Sequence, residues 1–511
     1  MTVVISPDPL SPADVVAVAR HRERVSLSDL AVDAMTASRA HVDALAAADK
    51  PAYGVSTGFG ALATTHIPVD RRADLQRSLV RSHAAGSGPP VEAEVVRAMQ
   101  LLRLRTLATG RTGARPQTAQ AIADLLNAGV TPAVAEYGSL GCSGDLAPLA
   151  ACALVLMGEG EVLADDGSTR PSADALRAAG IAPITLAEKE GLALLNGTDG
   201  MLGMLVLAIE DLGRLVTTAD LAAAMTVEAL LGTDRVFAAD LLRLRPQPGQ
   251  AISAANLRSL LDGSSIVASH AGPEDTRVQD AYSLRCAPQV AGACRDTIEH
   301  ARRVASYELA AAIDNPVVLP DGRVESNGNF HGAPVGYALD FLAIAAADLA
   351  SISERRTDRM LDRSRSQGLP AFLAGDPGVD SGHMIAQYTQ AAMVSECKRL
   401  AAPASVDSIP SSAMQEDHVS MGWAAARKLR RSIDLVRRVL AIEVLTAARA
   451  LDFRAPMASA PAIRAVRDRI RVEVAGPGAD RHLAPEIEAT VRLVASGELL
   501  AAAQGITGHL A

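Results

Sequence analysis

The stretch 201–232, MLGMLVLAIEDLGRLVTTADLAAAMTVEALLG, constrains the fold more than any other part of the chain. Leu, Met, Ala and Val fill it, but Glu210, Asp211, Arg214, Asp220 and Glu228 interrupt it before about 20 apolar residues run together. It therefore reads as a long buried helix of a protein core and not as a bilayer span. Similar helical runs lie near 289–313, 337–365, 383–402 and 419–452, and several far exceed the average helix of about 11 residues. Helices of that length bury their apolar faces most economically against one another, so the expectation is a mainly α chain with a central bundle of long antiparallel helices. Apolar residues make up 49% of the 511 and aromatic residues only 3%, so Ala, Leu and Val must build the core, a composition that suits closely packed helices.

The first third alternates helices with glycine-bearing loops. Ser11-Pro12-Ala13-Asp14 opens a helix with an N-cap and a proline at the first helical position. Two loops, YGVSTGFG (53–60) and EYGSLGCSGDLAPL (136–149), are crowded with small residues, and such loops are where function tends to sit. Farther on, 164–175 reads as an excursion with a turn, 268–283 as a long polar loop and 319–330 as a turn-rich connector.

Charge and cysteine usage exclude several function classes. A formal net charge of −9 with no Lys/Arg track argues against nucleic acid as a partner. Five scattered cysteines without CxxC spacing argue against a disulfide framework or a zinc knuckle and point to a reducing compartment. Eleven histidines include neither HExxH nor a His-x-His pair, so no metal is expected. The N-terminal MTVVISPDPLSPADVV has neither the basic region nor the apolar run of a signal peptide. A cytoplasmic location without membrane attachment is the expectation.

Three motifs compete for chemistry. Gly54-Val55-Ser56-Thr57-Gly58 has the G-x-S-x-G form of a hydrolase elbow, which requires a strand before the serine; the preceding ALAAADKPAYG has no strand character. The overlapping Gly58–Ala63 fragment fails as a dinucleotide site for the same reason, so no nucleotide is expected. Cys142-Ser143-Gly144 is different. The Gly144 nitrogen can reach the Cys142 carbonyl carbon if the backbone bends sharply and the attacking residue lacks a side chain. Ring closure with loss of water, then loss of the Ser143 hydroxyl, leaves a five-membered ring with an exocyclic methylidene, an electrophile that no ordinary side chain supplies. Taken alone, an x-Ser-Gly triplet more often marks only a turn.

The surroundings favour the chemical reading. GSLGCSGDLAPLA, with YGVSTGFG, LLNGTDG (194–200), QDAYSLRCAPQV (279–290), DNPV (314–317), NGNFHG (327–332) and SSAMQEDHVSMG (411–422) in that order, resembles the aromatic amino acid ammonia-lyases over nearly the whole chain. The resemblance implies the ammonia-lyase/fumarase-like helical architecture and a 4-methylidene-imidazol-5-one prosthetic group (MIO) formed from Cys142, Ser143 and Gly144. It also implies a homotetramer whose active sites draw loops from three chains. On this reading residues 1–200 form an N-terminal helical region carrying the prosthetic-group and tyrosine loops. Residues 201–511 form the long-helix bundle and C-terminal helices, the two making one continuous catalytic unit.

The same resemblance distributes roles. Tyr53 takes the β-proton, although a tyrosine of ordinary pKa, about 10, is a poor base at neutral pH unless its site favours the phenolate. Capture of the substrate amine at the methylidene carbon from Ser143 makes it a better leaving group. Arg285 clamps the substrate carboxylate with its two-pronged guanidinium. Asn196, Tyr282, Gln279 and Phe330 contact the substrate or the prosthetic group, and Asp145 shapes the cyclising loop. Ser82-His83, with Glu416, is the pattern of the members acting on L-histidine, which yields trans-urocanate and ammonia. An imidazole offers a donor and an acceptor to those two groups, whereas a phenyl ring would leave both unpaired at about 1–3 kcal/mol each.

Two positions depart from the family pattern, Ala151 where histidine is common and His383 where an apolar residue is usual. The first leaves the packing behind the loop open, and the second adds a titratable group to a helix near the core. Two other readings stay open at this point: a lyase or aminomutase for another aromatic amino acid, and a helical scaffold without catalysis.

Overall fold

The computed structural model describes residues 2–48, 57, 65–164, 166–272 and 278–511. The chain is mainly helical. Its long helices run Asp199–Ala229, Ala287–Ala310, Ala333–Leu361, Met384–Leu400 and Gly422–Asp452, each within a few residues of its expected span. The chain gathers into two compact units, one of residues 1–207, 301–340 and 403–427, the other of 208–300, 341–402 and 428–511.

In the first unit, helix Pro12–His21 begins as its sequence dictates. Ser11 Oγ accepts the Asp14 amide at 3.1 Å, the Asp14 carboxylate accepts the Ser11 amide at 2.9 Å, and Pro12 occupies the first turn. Helix Ala93–Ala108 packs against Pro12–His21, Asp29–Ala47 and Pro116–Ala128 and is buried from Val95 onward. Its arginines point into the interior, where groups distant in sequence satisfy them. Arg97 donates to Val18 O and Leu126 O at 2.8 and 3.1 Å, and Arg105 donates to Pro7 O and Asp8 O at 3.1 and 3.2 Å. Short strands occur that no two-residue alternation announced: Thr2–Ile5 pairs in parallel with Arg24–Leu27, and Ser87–Pro90 pairs antiparallel with Ala135–Tyr137. The 164–175 excursion is a hairpin, Glu161–Leu163 with Thr169–Pro171, running into helix Ser172–Ala179.

In the second unit, one carboxylate ties three long helices together. Fully buried Glu443 accepts from Thr226 Oγ1 at 2.9 Å, Ser353 Oγ at 2.6 Å and Arg356 Nη2 at 2.8 Å, and Arg356 Nε makes a second contact. Every lone pair of the anion is met, which is the condition for keeping a charge in an apolar core. His383 caps Met384–Leu400 at 2% exposure, with Nδ1 3.1 Å from Thr446 Oγ1. Burial, reinforced by the Arg449, Arg481 and Arg471 charges, brings its pKa down to about 3. The histidine that departs from the family pattern is a neutral core side chain.

Among the described residues, one helix, Ala333–Leu361, is long and apolar enough to cross a bilayer, and most of its apolar window is buried within the protein.

Candidate active site

Strand Ala135–Tyr137 and helix Leu146–Leu156 hold the Cys142-Ser143-Gly144 loop between them. Its bend is imposed by backbone contacts that only glycine permits. Gly144 has φ +81°, and a Cβ there would collide with the carbonyl of Gly197. The same approach lets the Asp145 amide donate to Gly197 O at 2.8 Å. Gly141, at φ +70°, leaves room for Ser420, whose Oγ donates to Gly141 O at 3.4 Å. Next to it the Met421 amide donates to Leu140 O at 2.9 Å. Cys142 and Ser143 ride half-buried between these two anchors.

Asp145 lies beneath the loop with no exposure. It accepts from Ser139 Oγ at 2.9 Å and from the Met201 amide, at the start of helix Asp199–Ala229, at 2.9 Å. Burial raises its pKa to about 7 despite those bonds, which favour the anion. The contact with Gly197 also carries Asn196 to the loop. Asn196 is 2% exposed and donates to Leu192 O at 3.3 Å and Asn315 O at 3.5 Å.

Glu416 is half-buried in the segment that ends at Ser420 and Met421. Its main chain pairs reciprocally with Ser411 at 3.0 and 3.3 Å, and its carboxylate accepts from Ser411 Oγ at 2.8 Å. It stands against Cys142: burial first, and the Glu416 charge second, push the Cys142 thiol up to about 12. The loop and the proposed imidazole partner are thus neighbours in space, 274 positions apart in sequence (416 − 142).

Ser82 and His83 end helix Arg72–His83. His83 Nδ1 lies 2.9 Å from Leu79 O, which can only accept, so Nδ1 carries a hydrogen and is held by the helix. Ser82 Oγ donates to the same carbonyl at 3.0 Å. Ala84, the next residue, lines a cavity of about 180 Å³ with Ala147, Pro148 and Ala151 of the helix that follows the loop. Ala151 therefore leaves open space behind that helix, as its small side chain implies.

The second unit holds Gln279, Tyr282 and Arg285. Helix Tyr282–Arg285 is a single turn; the guanidinium of Arg285 lies 4.6 Å from the centre of the Tyr282 ring, and Arg285 Nε is buried without a hydrogen-bond partner among the described residues. Tyr282 and Gln279 are exposed. Tyr53 lies outside the described residues.

Sequence reasoning passed over several groups that build the site. Arg103, buried at 2%, pairs with Asp199 and donates to Ala193 O at 3.1 Å. Lys189 and Asp314, both fully enclosed, pair at 2.5 Å, and Asp314 lies in the DNPV segment beside Asn315, which receives Asn196. The signal was present, a charged residue inside a motif, but its partner is 125 positions away.

The family model for aromatic amino acid lyases matches residues 10–472. The chain belongs to the aromatic amino acid lyase family. It is 64% identical over 510 residues to the histidine ammonia-lyase of Streptomyces coelicolor, covering 100% of this chain and 99% of that one. It is 50% identical over 502 residues to that of Symbiobacterium thermophilum, with 98% of each covered. Among solved structures, tyrosine aminomutase from Streptomyces globisporus matches with a TM-score of 0.94 at 38% identity, covering 100% of both chains. Histidine ammonia-lyase from Trypanosoma cruzi matches with a TM-score of 0.91 at 39% identity, covering 99% of this chain and 96% of that one. Within this lyase family the backbone is shared by members of different substrate and outcome, so shape alone does not choose among them.

Proposed function

We propose that this aromatic amino acid lyase is a histidine ammonia-lyase, removing ammonia from L-histidine without oxidation to give trans-urocanate. Full-length relatives at 50–64% identity carry that name. The observation that carries the assignment to a site is Glu416 standing against Cys142, a carboxylate next to the loop where a substrate ring must be read. A phenyl ring would desolvate that carboxylate and give it nothing in return.

The loop fits the prosthetic group. Gly144 is where a side chain is excluded, and Cys142 contributes only its carbonyl, so a thiol in place of a methyl group is tolerated. Cys142, Ser143 and Gly144 would form the ring, which supplies an electrophilic carbon for the substrate amine. Asp145 and Ser139 hold the bend. Asn196, fixed by Leu192 and Asn315, would contact the prosthetic group or the substrate amine. Glu416 accepts the imidazole N–H, and Ser82-His83 serves the other ring nitrogen. Arg285 binds the substrate carboxylate, Tyr282 and Gln279 line the amine side, Phe330 covers the ring, and Tyr53 takes the β-proton.

A homotetramer with shared sites suits the surface of the long helices. Tyr337, Phe341 and Ile344 recur at helical spacing on Ala333–Leu361 and are 60%, 47% and 47% exposed, and Tyr307 is exposed on Ala287–Ala310. Large apolar side chains in such a row are what a second copy would cover. Exposed Tyr282 and Gln279 likewise await neighbouring loops.

The test mixes purified protein with L-histidine, L-phenylalanine or L-tyrosine and follows ultraviolet absorbance, with Ser143→Ala as control. A urocanate band from histidine alone, lost in the variant, is expected. A cinnamate or coumarate band would overturn the ring assignment. An intact mass lacking the loss of one water for ring closure and a second for the hydroxyl would favour the non-catalytic scaffold.

A further inference from the structure

His331 sits between the turn that carries Phe330 and the segment that carries Glu416. Both of its ring nitrogens are committed. The Ala333 amide donates to Nδ1 at 3.4 Å, and a backbone N–H can only donate, so Nδ1 bears the lone pair. Nε2 then carries the hydrogen and donates to His418 O at 3.3 Å. The two imidazoles, His331 and His418, are stacked with centres 5.6 Å apart and planes 6° from parallel. The adjacent Gly332 lies close against Met201 and Ser420, where a Cβ would press on Met201 and come to 3.0 Å from Ser420 Oγ.

The other ends of both segments are already fixed. Asn327 holds the Phe330 turn, its amide donating to Asn315 Oδ1 at 3.0 Å and its Nδ2 to Asp314 O at 3.0 Å. Met421 and Ser420 hold the Glu416 segment to the prosthetic-group loop. Between these anchors, Ser412, Ala413 and Met414 all have positive φ, so the stretch leading to Glu416 is held in a conformation that side chains resist. The His331–His418 contacts link this segment directly to the turn that carries Phe330.

We propose that His331 is a positioning residue for substrate recognition: through its bond to His418 O and its stack on the His418 ring, it sets the distance between Phe330 and Glu416 and so the width of the slot for the substrate ring. The proposal rests on the assignment of those two residues to the imidazole. His331 acts through its neighbours and touches no reacting atom, so its loss weakens binding of the ring and leaves the chemical step alone.

The experiment compares His331→Leu, His331→Gln, Glu416→Gln and Phe330→Ala in the full-length enzyme, measuring KM and kcat for L-histidine and thermal melting. Loss of one exposed, uncharged tie predicts a KM raised about fivefold to tenfold in His331→Leu, with kcat within about twofold of the parent. His331→Gln keeps an N–H donor of similar reach and restores most of the KM. Combining His331→Leu with Glu416→Gln gives less than the product of the single effects, because the tie has no carboxylate left to place. An unchanged KM in His331→Leu, where Glu416→Gln and Phe330→Ala raise it, overturns the clamp and leaves the site assignment standing. If none of the variants moves KM, both the assignment and the clamp are wrong. Equal losses in kcat and KM, or a His331→Gln variant as impaired as the leucine, show a merely structural role and also overturn it.

Discussion

Two fully buried carboxylates, Asp145 in the first unit and Glu443 in the second, are treated in opposite ways by the fold. Glu443 faces a guanidinium and two hydroxyls, so its charge is compensated where it lies. Asp145 has a hydroxyl and a backbone amide as its named partners, neither of them charged, and burial lifts its pKa to about 7. The first arrangement fixes helices. The second keeps a carboxyl group on the border of ionisation beneath the Cys142-Ser143-Gly144 loop, and perturbed groups of that kind cluster in functional sites.

Breaking the compensated carboxylate has the largest expected effect on stability. Glu443→Leu leaves the guanidinium of Arg356, 1% exposed, without its partner, and removal of one half of a buried pair costs about 3–5 kcal/mol. Urea unfolding of the variant tests this: a midpoint near that of the parent would mean that Arg356 finds another acceptor. Glu443→Gln, which keeps an acceptor for the two hydroxyls, falls between.

Asp145→Asn sharpens the contrast. The amide preserves shape and one acceptor oxygen, so the stability loss stays near 1 kcal/mol. The loop, however, depends on simultaneous bonds to Ser139 and Met201, and a shift of about 1 Å at a reacting group costs on the order of 10²-fold in rate. Urocanate formation should therefore drop about a hundredfold in a variant that melts almost normally. A proportionate loss of stability and activity would place Asp145 with Glu443, as part of the framework.

The ease with which each region could be read in the sequence follows the range of its interactions. The long helices were legible because apolar spacing is local, and the capping box at Ser11 and Asp14 spans three residues. The loop at Cys142-Ser143-Gly144 was singled out by the motifs around it, which resemble one family in order, since the triplet alone reads as a turn. The carboxylate networks were not, since Met201 lies 56 positions from Asp145 and Thr226 lies 217 from Glu443. Arg97, Arg103 and Arg105 drew no reading for the same reason, their acceptors being groups that only the fold brings near. His383 was flagged as a departure, but its neutrality depends on enclosure by Arg449, Arg481 and Arg471.

The smallest effect is visible only by difference. His383 has a folded pKa of about 3 against an unfolded value of about 6.5, so as pH falls below 6.5 the unfolded chain takes a proton that the folded chain refuses. That costs stability, about 2 kcal/mol between pH 7 and pH 5. Asp145 works the other way: with a folded pKa of about 7 against about 3.9 unfolded, the folded chain holds the proton and gains about 2 kcal/mol over the same interval. The two nearly cancel in the parent, whose unfolding midpoint should change little from these groups. Asp145→Asn removes the gain, so that variant loses stability on acidification. His383→Gln, which keeps an acceptor or donor for Thr446, removes the cost, so it gains. Urea midpoints of both variants at pH 7 and pH 5 read the two slopes, and slopes of the same sign would mean that one of these side chains is not enclosed as described.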